Sequence, residues 1–353
     1  MKNLFWISLV LASFNLGLSQ DIIIKDAATK EAIAFATISF GNGKGTFADD
    51  EGSFRFSKKL YNDVDSLFFS SIGYADLGVA VENLQSEVFL YQQADELETV
   101  IISAALTGKH KDRKKIELGH DNYFDCWLPT VESEIAVKFD RYDGEPTQIT
   151  QLKLPVVLEE SQSSNKGKLR QFSTMFRVSF YDVQEGGNPS NRSLYPSKTF
   201  IIDQTTEETF ELDIEEMKIN IPQNGIFASI QVLGYTKPDG KLIKAKKYRE
   251  IKTRTGTVKV STTFRPLLPF TKEIEGKNTW VRRIFFNNKT WQLFDLTYNP
   301  NSKLVGINKS NRYRFIQISS KRNHFFIYCN TILHKIFLHH LFLREVMLYG
   351  KCF

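Results

Sequence analysis

The stretch Gly45–Phe56, "GTFADDEGSFRF", sets Asp49, Asp50 and Glu51 in a row before Gly52. Two readings compete for it: a cation or acid/base site, and a turn between two strands. The flanks favour the turn. Phe54 and Phe56 alternate with Ser53, Arg55 and Ser57, the period of a strand with one buried face. Asp and Glu tolerate turn conformations, and glycine supplies a positive φ. A calcium loop of the EF-hand type needs oxygen ligands at alternate positions and a glutamate further on, which this stretch lacks. The three carboxylates are therefore read as a structural turn, with a cation site and paired catalytic carboxylates as the alternatives.

Short runs of strand character recur on both sides. They are Ile22–Lys25, Ala34–Phe40, Leu67–Ser70, Ile72–Tyr74, Leu77–Val81, Val88–Leu90 and Val100–Ile102, besides the pair Phe54 and Phe56. "GNGKG" (41–45) reads as a break. Short strands at this spacing, with no long stretch of helical period, predict an all-β sandwich.

The order of four phrases carries a resemblance. "EAIAFATISF", "GTFADDEGSFRF", "SSIGY" and "ELETVII" follow one another at suitable spacing. In this the region 21–102 resembles the carboxypeptidase regulatory-like domain, a transthyretin-like β-sandwich also found before the plug of TonB-dependent outer-membrane receptors. The first strand, "IIIKD", departs from that pattern by lacking a glycine before Asp26. The resemblance implies a seven-stranded accessory module that holds no zinc itself. The chain is too short for the receptor barrel.

Beyond residue 102, "LTGKHKDRKKIELG" (106–119) is basic and nearly devoid of apolar residues, and reads as a solvated linker over 105–119. Strand patterns resume over 120–300, in Ile135–Phe139, Ile149–Leu158, Phe176–Tyr181, Thr199–Asp203 and Gly225–Leu233. A turn is predicted at Asp239-Gly240, and "WVRRIFF" (280–286) with "WQLFDLTY" (291–298) reads as a closing hairpin. This region looks like one face of a larger, jelly-roll-like sandwich, similar to β domains that follow the first module in exported Gram-negative proteins.

Residues 1–19 read as an export signal. Lys2 is the charge, Leu4–Leu11 the apolar core, and Gly17 and Ser19 the small residues before cleavage at Gln20. The expected location is the periplasm, the outer membrane or the cell surface. Residues 301–353 form an atypical tail. Positions 303–353 hold nine lysines and arginines against the single acid Glu345, so the first 302 residues sum to −2 of the chain's net +6. That near-neutral body removes the global charge argument for nucleic-acid binding. Three readings of the tail remain: a segment not selected to fold, a basic amphipathic helix (Ile332, Ile336 and Phe337 share a face) that would give the only membrane contact, and an ordinary extension of the second domain. The first is preferred, and it predicts that a chain ending near Pro300 stays stable.

The chemistry-bearing residues are sparse. His110 and His120 are the only histidines between the signal and residue 302, and no HExxH, GxSxG, Walker or GxGxxG phrase exists. His324, His334, His339 and His340 in the tail have only Glu345 nearby, and Cys126, Cys329 and Cys352 form no framework. No catalytic, cofactor or metal residues are assigned. Trp127, Trp280 and Trp291 are the candidates for stacking on sugar rings, against their reading as core. The expectation is a non-enzymatic envelope protein that binds a partner protein or glycan without cofactor. A carbohydrate-binding protein of a polysaccharide-utilisation system and an enzyme with an unrecognised site are the alternatives.

Overall fold

The computed structural model describes residues 19–41, 43–93, 110–114, 126–159, 169–243, 249–253, 256–260, 262–269, 278–285, 289–294 and 317–323. The export signal, Val100–Ile102, His120, and the tail histidines and cysteines lie outside them. The chain is all-β.

Seven strands build the first domain: β1 (Gln20–Asp26), β2 (Thr37–Gly41), β3 (Lys44–Phe47), β4 (Ser53–Phe56), β5 (Ser66–Ser70), β6 (Leu77–Ala80) and β7 (Glu87–Leu90). They form two sheets, β4-β1-β7 and β3-β2-β5-β6. Alternation dictates the core between them. Ile22 and Ile24 of β1, Phe54 and Phe56 of β4, Leu67 and Phe69 of β5, and Val88 and Leu90 of β7 all turn inward. Two of the expected assignments change among the described residues. The expected break over 41–45 includes the start of β3, whose Lys44 pairs with Gly41 of β2, and Ile72 and Gly73 form a turn in which Gly73 has φ +83°.

The quoted acidic stretch is a turn between β3 and β4. Asp49 Oδ1 accepts the backbone N–H groups of Glu51 (3.1 Å) and Ser53 (2.7 Å), and the Asp49 carbonyl accepts from Gly52 (3.0 Å). Gly52 is buried with φ +69°. Asp26 ends β1 in a similar way. Its Oδ1 accepts from the backbone of Ala28 (2.7 Å) and Thr29 (2.9 Å), and its Oδ2 from Gln92 Nε2 (2.7 Å) and Tyr74 Oη (2.9 Å). The Thr29 N–H first, then Gln92 and Tyr74, hold the Asp26 carboxyl down to about 2. A carboxyl depressed in the fold stabilises it fully above its unfolded value of 3.8, and this contribution is lost as pH falls through 2. Circular dichroism of the native chain and Asp26→Asn, followed from about pH 5 to about pH 1.5, is expected to show a larger acid-induced loss between those two values in the native chain than in the variant. Identical acid profiles would remove Asp26 as its source.

The second domain comprises β8 (His110–Lys114), β9 (Cys126–Trp127), β10 (Ser133–Phe139), β11 (Thr147–Pro155), β12 (Ser173–Val183), β13 (Pro189–Ser193), β14 (Lys198–Asp203), β15 (Thr209–Asp213), β16 (Ile219–Asn220), β17 (Ile226–Tyr235), β18 (Arg249–Thr253), β19 (Gly256–Val260), β20 (Leu268–Pro269), β21 (Thr279–Arg283), β22 (Gln292–Leu293) and β23 (Gln317–Asn323). One sheet runs β13-β12-β17-β10-β21-β22, with β14 also on β12; the facing sheet runs β15-β11-β23-β8, with β16 also on β11. Their inner faces share one apolar core that includes Ile135, Val137, Ile149, Leu152, Phe176, Val178, Phe180, Ile230 and Val281.

Two expectations are corrected here. Part of the basic stretch read as a solvated linker is strand β8, and part of the tail read as unselected is strand β23. They pair with each other, and β23 pairs with β11 in the interior of the sheet. Neither had an apolar alternation to announce it; the backbone ladder supplies the stabilisation instead. Truncation after Pro300 would therefore strip β11 of one neighbour and β8 of its partner. The expected loss is about 2–4 kcal/mol from several net hydrogen bonds, with new self-association through the bared edge. Urea denaturation and light scattering check this, and an unchanged midpoint would restore the dispensable tail.

The two domains are docked rather than strung on a tether. Phe47 and Phe35 of the first pack in one cluster with Met175, Leu233, Leu242, Ile284 and Phe285 of the second. The Phe47 and Phe285 rings lie 5.6 Å apart, and Ser39 Oγ donates to the Phe285 carbonyl at 2.6 Å. Gly45 permits this approach, since a Cβ there would fall 2.3 Å from the Phe285 ring. Lys241 reaches Glu51 of the acidic turn at 2.8 Å.

Candidate functional site

Four neighbouring strands carry the site: β12, β17, β10 and β21. In each, alternate residues enter the inter-sheet core, so the residues between them share the opposite face. Register aligns these into rows. Arg177 stands opposite Gln231, Gln231 opposite Glu134, and Glu134 opposite Arg282. The next row contains Ser179, Ser229 and Ala136, and Tyr181 lies beyond Ser179 on β12. A sheet face made of Arg, Gln, Glu and Arg would ordinarily meet water. Here it is covered by the first domain and by Trp291, and Glu134 is only 2% exposed.

Burial forces these groups to satisfy one another. Glu134 Oε1 accepts from Ser229 Oγ (2.6 Å) and Tyr181 Oη (2.8 Å). Its Oε2 meets Arg282 Nη2 (2.7 Å) and Nε (2.8 Å), a two-pronged ion pair. Arg282 Nη2 also donates to Tyr181 Oη (2.9 Å), and the guanidinium lies 4.4 Å from the Trp291 ring centroid. Arg177 is held differently. Its Nε (3.0 Å) and Nη2 both donate to Gln231 Oε1, and its Nη1 reaches the Phe35 carbonyl at 3.4 Å, the long end of the range. Phe35 presents that carbonyl from a left-handed conformation, φ +54°.

The electrostatics fix the charge states of the row. Desolvation alone would raise the Glu134 carboxyl, but the Arg282 charge and the hydrogen bonds from Ser229, Tyr181 and Arg282 hold it below its usual range. Desolvation, then the Glu134 charge, pushes the Tyr181 phenol up to about 12. Neither group is poised to exchange a proton near neutrality, as a general acid or base must be. Desolvation lowers Arg177 somewhat, yet an arginine remains charged in proteins. The buried row thus holds two guanidinium cations and one carboxylate.

Above the row lies a cleft of about 290 Å³. Glu134, Arg177, Gln231 and Arg282 line it from the second domain, with Arg192 and Lys289 as further cations; Ser70, Ile72 and Asp76 face them from the first. Lys289 donates to Ser70 Oγ at 2.9 Å and lies 3.6 Å from Asp76, so it bridges the domains across this cleft. The arrangement suits an anion: fixed donors, a local excess of positive charge, and walls that limit water.

Apart from Trp291, which covers the row, the residues singled out from the sequence lie outside it. Asp49, Asp50 and Glu51 are in the turn described above, and among the described residues no group of three His, Cys, Asp or Glu could hold a metal ion. His110 is in β8 and Cys126 half-buried in β9. Trp291 is core: it packs edge-on to Tyr181 at 5.5 Å and its Nε1 donates to the Ser190 carbonyl at 3.0 Å. Trp127 and Trp280 are half-buried. No helix among the described residues is long and apolar enough to cross a membrane. No protein family, curated protein or solved structure matches the chain.

The sequence reading missed Glu134, Arg177 and Arg282. Their one signal was a charge inside each of the strand-like runs "SEIAV", "FRVSFY" and "WVRR". Read singly, each is a residue on a solvated face.

Proposed function

We propose that this chain is an exported, non-enzymatic binding protein whose interdomain cleft takes an anionic group of a partner molecule at the cell envelope. The excess guanidinium charge buried beneath the cleft carries this reading. Arg177 has only neutral hydrogen-bond partners, the Gln231 amide and the Phe35 carbonyl. An incoming carboxylate, sulfate or phosphate would supply the missing negative charge. The signal-like residues 1–19 and the resemblance of residues 21–102 to an accessory module of exported proteins support the location. A neutral sugar platform has less support, because Trp291 is committed to packing on Tyr181 and Arg282.

Calorimetric titration with oligogalacturonate, against neutral dextran of matched length, tests the proposal. The acidic polymer is expected to bind and to weaken as salt is added. The double substitution Arg192→Ala, Lys289→Ala is expected to weaken it about tenfold, since each is a cation lining the cleft. Equal binding of dextran, or acidic binding untouched by the substitutions, would overturn it.

A further inference from the structure

The donors beneath the interdomain cleft are only partly used. A guanidinium carries five N–H groups. In Arg177, Nε and one N–H of Nη2 go to Gln231 Oε1, and one N–H of Nη1 goes to the Phe35 carbonyl. One N–H on each Nη remains, and this half-buried side chain lines the cleft. Gln231 is the second donor. It is 3% exposed, and two arginine N–H groups meet its oxygen, which turns Nε2 away from Arg177. That N–H2 has no partner among the described residues, yet it is not sealed off, since Gln231 lines the cleft as well. Buried donors are normally satisfied, so this amide marks a place for an acceptor. The next group in register is the Glu134 carboxylate, which lines the same cleft.

We infer that the cleft selects a carboxylate over a sulfate or phosphate, with Arg177 and Gln231 as the residues that discriminate. The inference rests on the anion-binding reading and narrows it. One carboxylate oxygen would meet the free N–H groups of Arg177 and the other the Gln231 amide. Two coplanar oxygens match two planar donors, and a single negative charge balances the one guanidinium that Glu134 leaves uncompensated. A tetrahedral group brings a third oxygen into a row whose next member is the Glu134 carboxylate, a like charge with no donor to offer. Arg192 and Lys289 supply charge to either kind of anion and so do not discriminate. A site built from fixed polar groups rejects an analogue that leaves them badly paired.

The test titrates the full chain with D-galacturonate and D-galactose 6-sulfate, two singly charged acidic sugars, by ligand-observed NMR. Galacturonate is expected to bind saturably and at least about tenfold more tightly than the sulfate. Arg177→Lys keeps the charge and loses the fork, so the preference should fall to about twofold or less while both acids still bind in a salt-sensitive way. The comparison on the native chain needs no variant. Equal binding of the two sugars there would overturn the inference and leave the anion-binding reading standing, as would a preference unchanged in Arg177→Lys. Failure of galacturonate to bind would also overturn it, and oligogalacturonate then separates the cases: if the polymer fails as well, the anion-binding reading falls with it.

Discussion

Glu134→Ala is expected to destabilise the protein by about 3–5 kcal/mol, the range for removing one partner of a buried ion pair. The substitution leaves Arg282 without its counter-charge on a buried sheet face, and it removes the acceptor of the Ser229 and Tyr181 hydroxyls. Urea denaturation followed by tryptophan fluorescence suits the measurement, since Trp291 packs on both Arg282 and Tyr181. Glu134→Met with Arg282→Met removes both charges together. That double variant is expected to lie within about 1 kcal/mol of the native chain, because apolar replacements of a whole buried pair are often neutral or better. A loss under about 1 kcal/mol for Glu134→Ala would mean that water already reaches the carboxylate. The contrast between the single and double variants asks what the row is for. If stability survives without the charges, they are held in place for the cleft above them. The pH sign is fixed as well: the Glu134 carboxyl lies below its ordinary 4.5 in the fold, so its contribution is present above 4.5 and is lost as pH falls below it.

Gly52→Val is the second large expected effect, about 3–4 kcal/mol from a strained left-handed backbone plus collision. Gly52 has φ +69°, and a Cβ there would sit 2.9 Å from the Ile24 carbonyl oxygen and 3.1 Å from that of Ile33. Both are backbone atoms of the first domain, with no flexible side chain to yield. The Gly52 carbonyl accepts from the Ile24 N–H at 2.9 Å, so displacing the turn also loosens β1. Asp50→Ala, one residue from the same turn but exposed, should cost less than about 0.5 kcal/mol. Comparable losses for the two variants would show that the acidic residues, not the glycine conformation, hold the turn.

The all-β character was legible because Phe54, Phe56, Leu67 and Phe69 alternate strictly, and alternation is a local property of the chain. The acidic turn was legible for the same reason: its residues bond to one another. The charged row was not. Arg177, Gln231, Glu134 and Arg282 come from four strands, and only register brings them together. Nothing local distinguishes a charge on a solvated sheet face from one beneath a second domain. Strands β8 and β23 were illegible for the complementary reason. Their sequences, "HKDRK" and "QISSKRN", pair through backbone groups that every residue possesses. The docking of the domains rests on Gly45 and Phe285, a missing side chain in one domain matched to a ring in the other.

The pairing of β11 with β23 also sets an order of assembly during synthesis. The first domain closes its sheets within residues 20–90 and can do so while the rest of the chain is still being made. Strand β11 cannot: its residue Lys153 waits for Gln317. At ordinary translation rates that interval is on the order of ten seconds or more. For that time the nascent chain carries a half-built sheet with an open edge, and the apolar residues Ile149, Leu152 and Leu154 lack a finished enclosure. Contacts so distant along the chain form slowly even in the complete polypeptide. The second domain is therefore the part whose yield would depend on chaperone supply and growth temperature, whereas the first would mature alone.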